Sequence, residues 1–476
     1  MKVGITAVGT YAPYYRMSRE AIARAWERRA LKGEKSIANT DEDSVTMAVE
    51  AARRCFQYIN KDSVDSLFFA STTAPYSEKS HSCLIATACD LKENTVAVDF
   101  ANSTKASASA LKLAMNHVTV TGQHTIVTAA DCRNGYPKSD QEQLIGDAAA
   151  AVAVGTENIL AELVCSTTIN IEIIDIWRNQ NDPYINLAEG RFATDKGYMT
   201  AMVKAVKSLL KTSGISAEQI SKAVFTTSAL KDHFNVAKKI GIAADKIQEA
   251  YMNELGDTGN AQALFLLADA LEHARPNEYI LLASYGSGAD AFLFKTTELV
   301  SQCNLMYNTA ATTIADKKTF NAYGRFLSFR SLIEAQPGEP FRIFPSNAAT
   351  WRDQKSILKL YGSVCKKCGT GTFPINRICP ACSSKDEFEE KRFAERTASI
   401  FTYSIDNLAG RSDDPVVVQA VLEDSQGVRY YMNMTDFEKD AIEIGSKMEF
   451  VFRRIYEGAG HINYYWKCRP LRRGGK

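Results

Sequence analysis

Two Cys-x-x-Cys pairs, Cys365/Cys368 and Cys379/Cys382, separated by ten residues, constrain this chain more than any other feature. Two such turns facing each other place four thiolates at the corners of a tetrahedron, the geometry of a structural zinc site. Gly369 relieves the turn after the first pair, and Pro380 restricts the second. A redox function is not expected, because four thiolates close the coordination sphere and leave no open position. Lys366, Lys367 and Arg377 would suit a nucleic-acid ribbon, but three cations beside four thiolates do little more than offset local charge. The total of eleven cysteines is odd, and those outside the cluster are scattered, unlike a secreted disulfide framework. Reduced thiols and a cytoplasmic location are expected.

With 476 residues the chain is too long for one core, so two or three domains are expected. A formal net charge of +1 argues against nucleic acid or a membrane surface as the main partner, since both call for a basic field. No run of eighteen apolar residues and no basic-then-apolar N-terminal segment occurs, so neither a membrane span nor a signal peptide is expected.

From Met1 to about Lys295, short apolar runs alternate with amphipathic stretches, the pattern of an α/β domain. Strands are expected near Val3–Val8, Ser66–Ala70, Thr95–Val98, Thr125–Ala129, Ala149–Val154, Ala223–Thr227 and Tyr279–Ser284. Helices are expected at Asp41–Ile59, Thr104–Val118, Tyr198–Ser213 and Ala261–Ala274. Asp41–Ala70 and Tyr198–Thr227 share a layout of long helix, short turn and strand, which points to a duplicated half. Pro337-Gly338-Glu339-Pro340 marks a turn-rich connection. Beyond the cysteines, β-type runs at Ala398–Ser404, Val416–Leu422, Arg429–Met434, Lys447–Tyr456 and His461–Lys467 predict a small barrel of the OB type.

At Asp99-Phe100-Ala101-Asn102-Ser103-Thr104-Lys105-Ala106 a strand ends, the chain turns sharply and a small-residue helix begins. This presents Thr104 at a helix N-terminus, where the dipole would lower the pKa of a nucleophile. Here the chain resembles the thiolase superfamily and, within it, the archaeal-type hydroxymethylglutaryl-CoA synthases. Val3-Gly4-Ile5-Thr6-Ala7-Val8-Gly9, Asp41-Glu42-Asp43-Ser44, Ala237-Lys238-Lys239-Ile240-Gly241 and Ser284-Tyr285-Gly286-Ser287-Gly288-Ala289-Asp290 are similar to that family. The C-terminal part resembles the zinc-ribbon/OB-fold proteins that accompany thiolase-type enzymes, with Ala349-Thr350-Trp351-Arg352 and Tyr361-Gly362-Ser363 leading into the cysteines. The implied fold class is α/β: a duplicated thiolase-like five-layer αβαβα domain (1–160 and 161–298), a connection (299–345), a four-cysteine zinc ribbon (346–390) and an OB-fold barrel (391–476).

The resemblance also exposes departures. Thr104 stands where the family has its acyl-accepting cysteine, Thr226 in Phe225-Thr226-Thr227-Ser228 where it has a histidine, and Asp257 in Gly256-Asp257-Thr258-Gly259 where it has an asparagine. Glu142 matches the family's glutamate. An unactivated threonine is a poor nucleophile, so acyl transfer through a cysteine at this place is not expected. Cys83 and Cys89, in the preceding helical segment, read as buried fillers rather than a relocated nucleophile, and His233 as a solvated helix residue rather than a displaced base. What remains is an acyl-CoA carbon–carbon bond enzyme of aldol, retro-aldol or Claisen type, an aldolase or acyltransferase with Glu142 and Asp257 as acid/base pair and Thr104 and Thr226 as hydroxyl donors. The alternative is a non-catalytic CoA-binding or scaffolding subunit beside an active thiolase. The resemblance further implies a coenzyme A thioester held near Lys231 and Gly286-Ser287-Gly288, a structural Zn²⁺, and at least a homodimer. The barrel would cover the mouth of the site or bridge subunits. Its aromatics Tyr430, Tyr431, Tyr464, Tyr465 and Trp466 are mostly core by expectation.

Overall fold

The computed structural model describes residues 2–305, 309–334, 346–410, 416–458 and 460–472. The Pro337–Pro340 turn lies outside them. The chain divides into two compact units, one comprising Met1–Asn39 and Asp43–Tyr323, the other Thr40–Glu42 and Gly324–Gly475.

In the first unit the framework elements are β1 (Gly4–Tyr11), α1 (Ser44–Cys55), β2 (Val64–Ala70), β3 (Val96–Phe100), α2 (Ala106–Thr121), β4 (His124–Asp131), β5 (Ala148–Gly155) and β6 (Ala161–Asn170), followed by α3 (Met199–Ser213), β7 (Ile220–Phe225), α4 (Asp232–Ile240), α5 (Asn260–Glu272), β8 (Tyr279–Tyr285) and β9 (Gly288–Thr296). The strands hydrogen-bond in the order β7-β8-β9-β6-β1-β5-β4-β2-β3. Two halves are joined where Gly4 and Ile5 of β1 meet Glu162 and Ala161 of β6. Each half has parallel strands on its outer side, β2 with β3 and β4, and β7 with β8. Antiparallel pairs lie toward the join.

The layering follows from which sequences are apolar all round. Every residue of β1 and β5 is buried, and β5 is little more than alanine and valine, so helices can press on both faces. Helix α5 is likewise buried along its whole length. It packs on β1, β4 and β5 on one side and on β7 and β8 on the other. Helix α1 covers the outer face of the first half, while α3 covers β6, β8 and β9 of the second, with α4 packed on α3. Helix, sheet, helix, sheet, helix is the five-layer arrangement.

Strands β6 and β9 and helix α4 are the framework elements that periodicity did not single out. Ala161–Asn170 mixes polar and apolar residues without clean alternation. Helix α1 is shorter than the amphipathic stretch that contains it, because Asp43 and Thr46 form a capping box that fixes its start.

The second unit holds two small sheets. Strands β10 (Tyr361–Cys365) and β11 (Phe388–Arg392) carry the cysteine ribbon. Strands β12 (Thr397–Asp406), β13 (Val417–Asp424), β14 (Arg429–Asn433), β15 (Lys447–Gly458) and β16 (His461–Pro470) follow in the order β14-β13-β12-β15-β16. A bridge between Met434 and Cys468 closes that sheet into a barrel. Alternate residues of β13 point inward, and Tyr430, Phe450, Phe452, Tyr464 and Trp466 fill the core, whereas Tyr431 is 63% exposed. Within the same unit the fully buried Arg453 is neutralised by Glu42 at 2.8 Å and Asp436 at 2.7 Å, as a guanidinium out of water requires.

Glu272, at the end of α5, makes the first unit sensitive to pH. Burial pushes its carboxyl from 4.5 up to about 8, against the opposing hydrogen bond from the Ala310 amide. The folded state therefore binds a proton more tightly than the unfolded chain does, so this group's contribution is lost as pH rises from about 4.5 through 8. The loss is no steeper than about 1.4 kcal/mol per pH unit. Glu272→Gln should flatten the decline in unfolding free energy across that window, as measured by urea titration at several pH values.

Candidate active site and zinc centre

The four cysteines of the ribbon converge. Their Sγ atoms lie within 4.8 Å of one another, with Cys365 to Cys382 at 3.6 Å and Cys368 to Cys379 at 3.5 Å. A tetrahedron with Zn–S bonds of about 2.3 Å has edges of about 3.8 Å, so the residues fit zinc. The turns are built by backbone bonds from Gly369 N to Cys365 O and from Ser383 N to Cys379 O, each 2.9 Å. The Ser384 hydroxyl lies 3.2 Å from both Cys365 and Cys382 Sγ. That hydrogen bond, with help from the Cys368 amide, draws the Cys365 thiol down to about 6, toward the thiolate a metal binds.

In the first unit a cavity of about 280 Å³ brings together Thr104, Thr226 and Asp257. Asn102, with φ of 69°, makes the turn that ends β3, and Thr104 then lies just ahead of α2. Thr104 Oγ1 donates to the Tyr285 carbonyl at 3.0 Å, and Thr226 Oγ1 accepts from the Tyr285 amide at 3.0 Å. One residue at the end of β8 thus holds both hydroxyls. Its neighbour Gly286 is required, since a Cβ there would lie 2.8 Å from Lys105 N and 2.9 Å from Thr104 Oγ1. Asp257, on the loop before α5, forms an ion pair with Arg133 at 2.6 Å and accepts from Gly259 N at 3.0 Å. Burial works against the Arg133 cation, but Asp257 and Asp131 outweigh it and raise its pKa.

Among the lining residues not singled out from sequence are Arg133, Asp175, Tyr198 and Tyr285. The Tyr285 phenol donates to Asp175 Oδ2, and burial, followed by that bond, pushes its pKa up, so it is held protonated. Tyr198 donates to the Thr226 carbonyl at 2.8 Å. Residues Ala193–Tyr198 form a π-helical turn against the cavity, a distortion frequent at functional sites. Gly197 in this turn is what admits the phenol, whose oxygen stands where a Cβ at 197 would collide with it. Tyr285 was visible inside the quoted Ser284–Asp290 motif. Asp175 lies in an irregular loop with no pattern to mark it.

Other expected residues lie elsewhere. Glu142 is buried but is not among the cavity's lining residues. Its carboxylate accepts from Trp26 Nε1 at 3.0 Å, Lys138 N at 2.8 Å and the Tyr323 hydroxyl. Gly286-Ser287-Gly288 forms the turn between β8 and β9, and Lys231 is exposed at the start of α4; none of these four lines the cavity. His233 is 3% exposed and not a solvated helix residue, because its face of α4 turns inward with Val236 and Ala237. Cys89 is buried as expected, while Cys83, in the first turn of its helix, is exposed.

Comparison with known proteins places these features. A family model described as the ChsH2 rubredoxin-like zinc ribbon domain matches residues 352–389. A hydroxymethylglutaryl-CoA synthase of Pyrobaculum arsenaticum is 30% identical over 351 residues, covering 70% of this chain and 99% of that protein. A hydroxymethylglutaryl-CoA synthase of Caldivirga maquilingensis is 30% identical over 347 residues, with the same shares covered. Among solved structures, an HMG-CoA synthase complexed with CoA is similar with a TM-score of 0.61 and 19% identity, over 73% of this chain and 95% of that one. The chain belongs to the hydroxymethylglutaryl-CoA synthase family, a family of acyl-CoA condensation enzymes, and carries a ChsH2-type zinc ribbon beyond the shared region. No helix among the described residues is long and apolar enough to cross a membrane.

Cys379→Ser should lower bound zinc from about one equivalent to near none, as read by metal analysis of the purified chain, because three thiolates no longer close the site. Gly286→Ala should displace the Thr104 turn and lower the thermal transition of the first unit, which differential scanning calorimetry would detect.

Proposed function

We propose that this protein makes or breaks a carbon–carbon bond in an acyl-CoA thioester by aldol or retro-aldol chemistry, without an acyl-enzyme. The observation that carries this reading is the meeting of Thr104, Thr226 and Asp257 in one cavity with no cysteine or histidine among its lining residues. Thr104 has no base beside it among its hydrogen-bond partners and donates to a carbonyl instead, which does not activate a nucleophile. Asp257 is the base. In the cleavage direction its carboxylate takes the proton of a β-hydroxyl, the Cα–Cβ bond breaks to give a carbonyl compound and a thioester enolate, and a proton returns to Cα. The proton that Asp257 has taken is the one returned to Cα, which restores its carboxylate, while Arg133 steadies the charge on Asp257 and the Tyr285 phenol stays on Asp175. Glu142, engaged on three sides, holds Trp26 and Tyr323 in place. The thioester's CoA portion runs toward Lys231 and the Gly286–Gly288 turn.

A second reading, a non-catalytic CoA-binding subunit of a thiolase-type complex, is favoured by one feature. The Thr104 and Thr226 hydroxyls both satisfy the Tyr285 backbone, as fillers of a vacated site would. Incubation of the purified chain with panels of acyl-CoA and 3-hydroxyacyl-CoA thioesters separates the two. Turnover is expected, with Asp257→Asn lowering kcat by at least about 100-fold. No turnover, together with co-purification of a cysteine-bearing thiolase whose activity ignores Asp257→Asn, would establish the subunit instead.

Strand β3 ends the nine-stranded order, yet Val96 and Val98 on it are 49% and 38% exposed. An open apolar edge of this kind calls for a partner strand. The reading is a homodimer formed through β3, and Val98→Lys should convert it to a monomer in light scattering.

A further inference from the structure

Resting on the cavity as the acyl-CoA site, we propose that it accepts acyl groups lacking a free carboxylate and turns away those that carry one. Asp140, Asp175, Asp232 and Asp257 all face the cavity, and Arg133 is the one cation among its lining residues. That cation is already matched, with Asp257 at 2.6 Å and Asp131 as a second negative neighbour. Asp175 receives the Tyr285 phenol, and Asp232 receives the Thr194 hydroxyl at 3.5 Å. Burial first, and then the nearby Asp195, push the Asp232 carboxyl upward; the cations paired with Asp140 and Asp195, Arg28 at 3.9 Å and Arg191 at 3.8 Å, are on exposed side chains and are not among the lining residues.

The rest of the lining includes Ile145, Ile176, Ile185 and Leu187, a surface along which an alkyl chain loses water at no polar cost. A terminal carboxylate carried into the same space would meet several like charges. An ion leaving water needs a counter-ion, and like charges within a few ångströms disfavour the ionised form. Selection therefore works by repulsion of the wrong substrate as much as by fit to the right one. The hydroxymethylglutaryl group in the name of the related synthases ends in a free carboxylate, the kind of terminus this cavity would turn away.

Two thioesters that differ only at that terminus test the proposal: 3-hydroxy-3-methylglutaryl-CoA and 3-hydroxy-3-methylbutyryl-CoA, with free CoA as reference. Their affinities for the full chain, and for Asp232→Asn and Asp140→Asn variants checked by circular dichroism, are measured by titration calorimetry. The uncharged thioester should bind at least tenfold more tightly, and the variants should narrow the gap severalfold. Equal or tighter binding of the carboxylated thioester overturns the proposal while leaving the cavity as the acyl-CoA site. A gap that persists unchanged in both variants overturns it too, since the carboxylates would not be its cause. If neither thioester nor CoA binds, the reading of the cavity falls and takes the inference with it.

Discussion

The full burial of α5 is the constraint on which the rest of the first unit depends. A helix buried on every side can be stable only between two surfaces, and the two sheet halves supply them. Once α5 is fixed, so is its first residue. Asn260, fully buried, donates to the Ser103 carbonyl at 3.0 Å and to Asp131 at 3.1 Å, and accepts from Ser107 N at 3.0 Å. One amide thereby ties the turn before α2, the start of α2 and the end of β4 to the loop that carries Asp257. The site is held by main-chain geometry at element ends, where backbone groups left over by helices and strands need partners.

Thr104, Thr226 and Asp257 occupy ends of elements whose positions are set by packing far from the cavity. A change of side chain at these ends would therefore alter the chemistry of the cavity more than the packing of the elements. The ion pair between Arg133 and Asp257 places a matched pair of charges in the cavity wall.

Much of this was legible in the residues. The apolar runs of β4, β5 and β8 and the small-residue start of α2 are strong periodic signals, and the two Cys-x-x-Cys pairs define their turns by spacing alone. Other parts were not legible for physical reasons. Strand β6 is half-covered and mixed in composition, so alternation fails there. Arg133 follows an apolar strand two residues after Asp131, and its ion-pair partner Asp257 lies far along the chain. Glu142 could be found by motif, but the direction its side chain takes depends on Trp26 and Tyr323, whose approach to it is a matter of tertiary packing. His233 read as solvated because the polar neighbours Asp232 and Asn235 dominate its surroundings in sequence, while burial is decided by the face of α4.

Gly197 and Tyr285 are described above as a cradle and its occupant. Viewed across possible sequences, they form one unit of fixed combined volume. A side chain gained at 197 would push the tip of the phenol aside and disturb its hydrogen bond to Asp175, unless a shorter residue stood at 285. Drift at either position alone is therefore penalised. Pairwise exchange at 197 and 285 is the route by which a relative could carry the same cavity with a different polar group at its wall.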